Sequence, residues 1–450
     1  MTTLYSARWV LPVSSTAIAD GAIATEGKVI VAVGSQAELS QRYPEAERRS
    51  FGEAAILPGL INAHSHLELT AMRGFLDGVE GDFFSWLRRL TVARLERMTA
   101  DDLRVSATMG ACEALSAGVT YVADASDSAG ESMKALRDTG LRGTVYQESF
   151  GPDPKLAKEN FAKLSDKIAK LESMQTPLVR VGASPHAPYT VSAPQLEMIS
   201  DFALAEQLPL MMHAAESVAE RMLLAEGSGS FAQGLASRGI KWNAPSLSSI
   251  KYLARHGILR TRPLLAHCIN VDADDLDIIA ETQTSIAHCP KSNAKLGHGR
   301  APFAEFVRRK LPIGLGSDSV ASNNTCDLLE EARFALLFAR AGSEQSSDLQ
   351  AGDALYAATL GGARAVGLEG QIGELHEGCQ ADFTVVSLAG THQLPTYDPV
   401  SSLIFSSSGR DVVLTVVAGK ELYSNGTLPD VDEERLRARM NEIGNKLGSL

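Results

Sequence analysis

Short apolar runs of strand length alternate with longer segments of helical composition through the middle of the chain. The helical segments include DDLRVSATMGACEALSAG and DLLEEARFALLFARA. Strands that alternate with helices predict parallel β/α units, and eight of them predict an α/β fold, a closed (β/α)8 TIM barrel. The eight runs are GLINAH (59–64), VTYVAD (119–124), GTVYQE (143–148), LVRVGASPH (178–186), LPLMMH (208–213), PLLAH (263–267), TSIAH (284–288) and PIGLGSD (312–318).

The two ends of the chain show a different pattern of apolar and polar residues. Residues up to about Leu57, and again from about Ala381, consist of short apolar pieces broken by polar residues, as in AIATEGKVIVAVG and VVLTVVAGKELYSNG. We expect both ends to build one small β-sandwich domain from residues 1–57 and 371–430, with the barrel at 58–370. The polar stretch at 431–450 has helical spacing and predicts a C-terminal surface helix with a solvated face.

All eight predicted strands finish on His, Asp or Glu at their carboxyl end. In a barrel of this kind all these ends lie on one face, and enzymes with this fold keep their chemistry there. A single polar residue at a strand end is most simply structural. A set of them, one at every predicted strand, indicates a functional site on that face.

Composition and charge exclude several classes of protein. The 450 residues are 44% apolar and 21% charged, which is typical of a globular protein. The net charge is −12 and no block of Lys and Arg interrupts it, so nucleic acid is not expected as a partner. The five cysteines form no C-x-x-C pair, which favours reduced thiols in the cytoplasm. Neither a signal peptide nor a membrane span is indicated.

The first predicted strand carries an H-x-H pair. Because side chains alternate along a strand, His64 and His66 are predicted to point to the same side. With His213 and Asp318 they provide three neutral nitrogens and one carboxylate, a set that suits Zn²⁺ or Fe²⁺ and leaves a position for water. Such a metal lowers the pKa of bound water toward ~7.

These residues lie in a series of motifs that resembles the amidohydrolase superfamily. The motifs are, in order, PGLINAHSHLELTAMRG, MMHAAES, LLAHC, IAHCPKSNAKLGHG and GLGSDSVASNNTCDLLEEAR. They are similar to the branch that contains cytosine, guanine and adenosine-nucleoside deaminases and the related triazine hydrolases. The resemblance covers nearly the whole chain and includes GCQADFTVVS near its end.

The resemblance assigns roles to individual residues. It implies that His64, His66, His213 and Asp318 are the metal ligands, and that Glu216 and His267 are catalytic. Hydrolytic deamination needs a proton for the ring nitrogen and another for the departing amine, and Glu216 can move both. Asp318 is also suited to take a proton from the attacking water.

The family pattern also predicts the number of metals. Members with two ions bridge them with a carboxylated Lys or a Glu on the fourth strand, and LVRVGASPH contains neither residue. We therefore expect one divalent ion, with Zn²⁺ as the first choice and Fe²⁺ as the alternative. Lys291 and Lys295 are interpreted as loop residues, and Cys268 and Cys289 as buried bystanders rather than ligands.

Several further residues are candidates for substrate contact. His186 matches a family histidine that contacts the substrate, and His288 either holds a loop at the same mouth or contacts the substrate. Trp86 is either a stacking wall for a heterocycle or a core residue.

One branch of the superfamily matches the motifs of this sequence best. Methylthioadenosine/S-adenosylhomocysteine deaminases place a Glu after the W-L pair, where this sequence has Leu95 followed by Glu96, and arginines at the third strand, where it has YQESFGPDP. The motifs HSHLEL and YQESFGPDP look more like 6-aminodeoxyfutalosine deaminases of menaquinone biosynthesis. This makes Glu68 and Glu148 candidates for hydrogen bonds to substrate hydroxyls, with ordinary rim carboxylates as the alternative.

The resulting hypothesis is a metal-dependent deaminase that uses metal-activated hydroxide to convert a 6-aminopurine nucleoside to its 6-oxo product and ammonia. Its best substrates are expected to be 6-aminodeoxyfutalosine or a 5′-substituted adenosine such as methylthioadenosine. The alternatives are hydrolysis of another C–N or C–Cl bond on guanine, cytosine, a pterin or an s-triazine, and a barrel that binds metal or ligand without turnover. We expect a homodimer with a small heterocyclic substrate and no membrane partner.

Overall fold

The computed structural model of the protein describes residues 1–342 and 348–448. None of the helices in these ranges is both long enough and apolar enough to cross a bilayer.

Short 3-10 helices include Leu67–Met72 and Ile258–Thr261. The strands are β1 (Thr2–Val10), β2 (Ile18–Glu26), β3 (Val29–Ser35), β4 (Glu47–Ser50), β5 (Ala54–Pro58), β6 (Leu60–Ser65), β7 (Val119–Ser126), β8 (Arg142–Ser149), β9 (Val179–Pro185), β10 (Met211–Ala214), β11 (Leu264–His267), β12 (Ser285–His288), β13 (Ile313–Leu315), β14 (Phe383–Ser387), β15 (Val412–Val417) and β16 (Lys420–Ser424). The α-helices are α1 (Gln36–Arg42), α2 (Phe83–Arg97), α3 (Ala100–Ser116), α4 (Ala129–Thr139), α5 (Ala157–Glu172), α6 (Ala193–Ala205), α7 (Val218–Glu226), α8 (Gly229–Ser237), α9 (Ser249–Arg255), α10 (Ala273–Thr282), α11 (Pro290–Lys295), α12 (Phe303–Arg308), α13 (Val320–Asn323), α14 (Leu328–Ala341), α15 (Ala351–Ala358), α16 (Leu360–Ala365), α17 (Pro399–Phe405) and α18 (Glu433–Gly448).

Strands from the two ends of the chain pair in one mixed sheet. The strand order is β16-β15-β14-β5-β1-β2-β3, and β4 pairs in parallel with β1. The two ends meet where β14 pairs with β5, and there Val385 lies opposite Ile56 with both side chains fully buried. The apolar residues of both ends therefore share one core. The packing of this sheet into a two-layer sandwich and the predicted domain boundaries stay predictions.

Between these ends lie two parallel sheets of four strands, β6-β7-β8-β9 and β10-β11-β12-β13. Parallel bridges connect them at both edges, between Ala183 and Leu210 and between Ser65 and Asp318. At the second edge the amide of Asp318 donates to the carbonyl of His64 at 2.9 Å. Each of the eight predicted runs overlaps one of these strands, which confirms the α/β alternation read from the sequence.

The strands of these sheets are covered on both faces, as β7 shows. All of its residues are buried, which is the pattern expected of a parallel strand between two apolar layers. Tyr121 and Ala123 pack with Met211 from another strand, whereas the intervening Val122 packs in the cluster that contains Leu136 of α4. Alternate side chains of one strand thus pack into an inner and an outer apolar layer.

The C-terminal helix α18 is less solvated than its composition predicts. Its residues Ile443 and Leu447 are each 1% exposed and pack in the apolar cluster that contains Trp86. Lys446 pairs with Asp102, which is itself buried on α3. The expectation of a solvated face is therefore right only for the outer side of α18, because its inner side closes the apolar layer beneath α2.

Candidate functional site

A cavity of about 770 Å³ opens at the carboxyl ends of the parallel strands. Its inner end is formed by strand-end residues that include His66, His213 and Asp318, and its outer wall includes residues of α2 and α8 such as Phe84 and Phe231. A volume of this size is typical of a small-molecule site. The predicted face of the fold therefore carries a pocket large enough for a substrate.

Four potential metal ligands converge at the inner end. One ligand atom from each of His64, His213, His267 and Asp318 lies within 4.8 Å of the others. His66 joins them, since its Nε2 lies 3.2 Å from His213 Nε2 and 3.5 Å from Asp318 Oδ1. The structure thus brings together all four ligands predicted from the sequence and adds His267 to their surroundings.

The protonation states of these imidazoles suit the binding of a metal cation. His213 Nδ1 lies 2.9 Å from the backbone oxygen of His186 and donates to it, so its Nε2 carries a lone pair. Burial, together with the other imidazoles, lowers the pKa of His213 well below its usual range and that of His66 to about 3. His64 Nε2 is buried without a hydrogen-bond partner. Neutral nitrogens that face one another beside a carboxylate are the donor set that a divalent metal requires.

Asp318 is held so that its two oxygens have different surroundings. Its Oδ2 accepts hydrogen bonds from the hydroxyls of Ser292 at 2.5 Å and Ser322 at 3.0 Å. Its Oδ1 faces His64 Nε2 at 3.4 Å. Burial opposes the charge, but the nearby imidazoles, that of His64 above all, hold the pKa of Asp318 well below its usual range. The carboxylate is therefore ionised, with one oxygen free to bind a metal or accept a proton.

The backbone around these side chains is unusual. The non-glycine residues Ala215, His267 and Asp318 have φ values of 53°, 75° and 54°, in the left-handed region that costs most side chains energy. At Gly316 an added Cβ would lie 2.8 Å from the Cβ of His64, so only glycine lets this segment approach β6 so closely. Strained geometry of this kind is common at functional sites, where it fixes side-chain direction.

Glu216 lies beside the predicted metal ligands in a fully buried position, 4% exposed. Its Oε2 accepts a hydrogen bond from the Tyr189 hydroxyl at 3.1 Å. Its Oε1 lies 3.7 Å from His267 Nε2 and 3.6 Å from His298 Nε2. Burial, followed by the charges of Asp318 and other carboxylates, raises the pKa of Glu216 well above its usual range. A protonated Glu216 can donate a proton inside the cavity.

Two buried side chains orient this part of the site. The carboxylate of Glu220 accepts hydrogen bonds from the amides of Ala215 at 2.8 Å and Glu216 at 3.0 Å. His267 Nδ1 lies 2.9 Å from Asn293 Oδ1 and donates to it, which leaves the lone pair on Nε2 toward the cavity. Burial lowers the pKa of His267 to about 4, so its imidazole is neutral at pH 7.

Most of the predicted substrate contacts line the cavity, and one does not. His186, Glu68, Trp86 and Glu148 all lie in its wall. Trp86 also packs in an apolar cluster with its indole nitrogen buried and unpartnered. His288 is buried away from the wall and stacks on Phe303 with ring centroids 5.3 Å apart. Substrate contact by these residues stays a prediction, and for His288 the geometry favours the alternative of a residue that holds a loop.

Helix α2 places an arginine, Arg94, in the cavity next to Leu95, the position where the pattern of the methylthioadenosine/S-adenosylhomocysteine deaminases predicts a carboxylate. Leu95 is 67% exposed and Glu96 is exposed, whereas Arg94 is largely buried and points to Glu68 and Asp127. The reason is helical phase, because Arg94 lies two turns after Trp86 on the inner face of α2. The sequence register pointed to Leu95 and Glu96 and did not predict Arg94.

Sequence reasoning missed other residues of the site. Tyr189 and His298 both lie against Glu216, and His298 also contacts Phe83, with ring centroids 4.4 Å apart. His298 lies within the quoted motif IAHCPKSNAKLGHG, which was the available signal. The two lysines of this motif are not loop residues: they lie on α11, where Lys291 pairs with Glu330 and Lys295 with Asp77.

Comparisons with known proteins agree with this geometry. The family described as "Amidohydrolase family" matches residues 55–422, and "Imidazolonepropionase-like composite domain, bacteria" matches residues 21–46. The chain is 30% identical over 431 residues to a 5-methylthioadenosine/S-adenosylhomocysteine deaminase of Nitratidesulfovibrio vulgaris (strain Miyazaki F), covering 95% of this chain and 93% of that protein.

Solved structures of similar proteins also superpose on this chain. A zinc-bound adenosine deaminase from Xanthomonas campestris superposes with a TM-score of 0.87 and 27% identity over 100% of this chain and 99% of that one. An atrazine chlorohydrolase from Arthrobacter aurescens TC1, in complex with zinc, superposes with a TM-score of 0.84 and 24% identity over 98% and 100% of the two chains. The second likeness concerns the fold alone.

Proposed function

The chain belongs to the amidohydrolase family and is a hydrolase of C–N bonds, and from this premise we propose that it is a metal-dependent deaminase of 6-aminopurine nucleosides. The reaction replaces the exocyclic amine of the purine by oxygen from water and releases ammonia. The preferred substrates are 6-aminodeoxyfutalosine or a 5′-substituted adenosine such as methylthioadenosine. The deaminase names of the relatives support this class of reaction.

The observation that carries the proposal is the position of Glu216. A buried carboxyl group with a raised pKa lies 3.7 Å from the neutral His267 and beside the ionised Asp318. An amine is a poor leaving group unless it is protonated, so a deaminase needs a proton donor at this place. Displacement of chloride has no such requirement, which is why the deaminase proposal is preferred to the triazine alternative.

The metal would be held by His64, His66, His213 and Asp318, whose neutral nitrogens and single carboxylate fit one divalent ion. We propose Zn²⁺, in line with the zinc-bound structures of similar fold. When bound, the ion supplies Lewis-acid chemistry and lowers the pKa of a water molecule toward ~7.

The chain's own residues would then move the protons. Glu216 donates its proton to the ring nitrogen next to the reacting carbon while water adds to that carbon. Asp318 Oδ1 and the free Nε2 of His267 are the two bases that face the water position, and one of them takes the proton that the water loses. That proton is returned to the amine, which leaves as ammonia when the C–N bond breaks. The remaining proton of the added hydroxyl passes to Glu216, which restores its carboxyl group and leaves the carbonyl of the 6-oxo product. Tyr189 keeps Glu216 aligned through its hydrogen bond to Oε2.

The rest of the cavity would bind the sugar and its 5′ substituent. His186, Trp86, Glu68 and Glu148 line this part of the wall. The predicted third strand, β8, ends in Glu148 and Ser149 without an arginine, which argues against a substrate tail that depends on a carboxylate at this place. This supports a nucleoside with a neutral region next to the purine.

We also propose how the chain is assembled. The bridges at both edges of the two parallel sheets support a closed (β/α)8 barrel. The pairing of one half of β1 with β4 and of its other half with β5 supports a small β-sandwich at the chain ends. We further propose a homodimer located in the cytoplasm, where the five free cysteines would remain reduced.

The experiment is release of ammonia by zinc-loaded protein from a panel of compounds. The panel contains adenosine analogues, 6-aminodeoxyfutalosine, guanine, cytosine and s-triazines. We expect ammonia from adenine nucleosides and little or none from the other classes. Chloride release from a triazine, or metal-loaded protein that releases ammonia from no compound, would contradict the proposal.

A further inference from the structure

Glu148 is a buried carboxyl group without a hydrogen-bond partner among the residues that the structure describes. It lies at the end of β8, is 7% exposed and lines the cavity. Its Oε1 is fully buried and makes no hydrogen bond. The carboxyl group lies within 4.8 Å of ring nitrogens of His186 and His213. A buried polar atom without a partner costs stability, so its presence in a cavity wall indicates that a ligand supplies the missing partner.

Glu68 lines the same cavity, but its carboxylate is already occupied. Its Oε2 accepts hydrogen bonds from the Ser126 hydroxyl at 2.6 Å and from the Ser128 amide at 3.0 Å. Its Oε1 accepts from Arg94 Nη1 at 3.2 Å. The two carboxyl groups that the sequence offers as substrate contacts therefore differ: one is committed to the protein and the other is free.

Arg94 connects these groups to the helix above the cavity. Its Nη1 binds Glu68 and its Nη2 binds Asp127 at 2.8 Å. Asp127 is in turn paired with Lys167 at 3.1 Å. Both terminal nitrogens of the guanidinium are thus used within the protein, and two carboxylates lie beside it. A substrate carboxylate beside Arg94 would find both terminal nitrogens of this guanidinium already bonded and would be repelled by Glu68 and Asp127.

We propose that Glu148 is a specificity-determining residue that binds a neutral hydroxyl group of the substrate, and that Glu68 acts only as a positioning residue through Arg94. The inference rests on the proposed function, which places a nucleoside in the cavity. It names the substrate class more closely: a nucleoside with a free hydroxyl on the side of its sugar that faces β8, and without an anionic group there.

The charge balance around Glu148 explains why the ligand is a hydroxyl. Burial, and then the carboxylates of Glu68 and Asp127, raise the pKa of Glu148 well above its usual range, and Arg94 opposes them only in part. The protonated carboxyl group both donates and accepts a hydrogen bond. A hydroxyl group does the same, whereas a carboxylate only accepts and an ammonium only donates.

The test compares nucleosides in pairs that differ only in the 2′ or the 3′ hydroxyl. For one of the two positions, we expect the wild-type protein to favour the hydroxylated member by about 10- to 100-fold in kcat/KM, the scale of an unmade hydrogen bond to a buried group. Glu148→Met keeps the length of the side chain and removes both polar atoms. This variant should lose the discrimination, so that the two members of the pair react within about twofold of each other.

Glu68→Met is the matched variant, with the same substitution in the same wall. Because Glu68 acts on Arg94 rather than on the substrate, this variant should lower kcat/KM for both members of each pair and leave their ratio as in the wild type. The two variants should also differ in thermal stability without ligand. The melting temperature should rise by about 1–4 °C in Glu148→Met, because this substitution removes the unpartnered carboxyl group. It should fall in Glu68→Met, because Arg94 Nη1, the Ser126 hydroxyl and the Ser128 amide lose their acceptor.

Two results would overturn the inference. The first is full hydroxyl discrimination in Glu148→Met, and the second is its loss in Glu68→Met with Glu148 intact. If no nucleoside releases ammonia, the proposed reaction fails, and calorimetric binding of the 6-oxo nucleoside pairs then decides the role of Glu148. Equal affinity of the wild-type protein for both members of every pair would overturn it.

Discussion

The substitution Glu216→Gln isolates the proton-transfer role of one side chain. Glutamine has the shape of a protonated glutamate, so its oxygen can still accept from Tyr189, and its amide can lie where Oε1 faces His267 and His298. The amide cannot give up a proton to the ring nitrogen. The variant should therefore keep the site and lose the acid.

The size of the effect follows from this difference. Loss of a general acid or base lowers turnover by about 10²- to 10⁴-fold, or about 3–5 kcal/mol in the activation free energy. Because a buried neutral acid is exchanged for a neutral amide with the same partners, the free energy of unfolding should change by less than about 1 kcal/mol. The metal content should be unchanged, since Glu216 is not a predicted ligand.

The assay is steady-state ammonia release with the best nucleoside of the panel, alongside metal analysis and thermal unfolding. Glu197→Gln is the control, because Glu197 lies on the surface of α6, is 58% exposed and pairs with His256, away from the cavity. The wild-type kcat should also fall as the pH rises through the raised pKa of Glu216, since only the protonated form donates. Wild-type turnover in a folded, metal-loaded Glu216→Gln protein would refute the role of Glu216.

Three further predictions concern the metal, the joint between sheets and a buried acid. Asp318→Asn should weaken metal binding by more than about 100-fold in a chelator competition, and unchanged affinity would remove Asp318 from the ligand set. Arg142 donates two hydrogen bonds to the fully buried Asp382, at 2.7 and 2.9 Å. Arg142→Met should therefore lower the free energy of unfolding, measured with denaturant, by about 3–5 kcal/mol. A decrease below about 1 kcal/mol would contradict this estimate. Burial raises the pKa of Glu331 to about 8 from 4.5, although Lys291 opposes the shift. The folded state then holds the proton more tightly, so stability falls as the pH rises from about 4.5 to about 8, and Glu331→Gln should show a shallower fall in melting temperature than the wild type.

The fold and the metal ligands could be predicted from local features of the sequence. The strands β6 to β13 appear as apolar runs that end in polar residues, and parallel strands place these ends together whatever the helices do. His64, His66, His213 and Asp318 converge for this reason. The match of the family to residues 55–422 confirms the resemblance that the motifs indicate.

The wall of the cavity could not be predicted in the same way. Its outer part comes from α2 and α8, and the direction of a helical side chain depends on how the helix packs against the rest of the protein. Arg94, rather than Leu95 or Glu96, reaches Glu68 and Asp127 because α2 packs with Trp86 inward. The separate states of Glu68 and Glu148 depend on hydrogen bonds from Ser126, Ser128 and Arg94, which no local pattern shows.

The contacts of Glu216 also arise from distant segments. Tyr189 follows β9 and His298 follows α11, and both approach Glu216 only after the strands have assembled. The left-handed backbone at His267 and Asp318 is equally invisible in the sequence, because neither residue is glycine. Long-range packing, rather than composition, decides these features.

The most direct test of the deaminase account follows the oxygen and the nitrogen of one reaction together. Zinc-loaded protein is incubated with an adenine nucleoside in water enriched in ¹⁸O, and the nucleoside product and the ammonia are quantified by mass spectrometry and an enzymatic ammonia assay. The account predicts one ammonia for each 6-oxo product, with one ¹⁸O at the purine carbon that lost the amine. A product without ¹⁸O, or loss of nucleoside without an equal amount of ammonia, would contradict it.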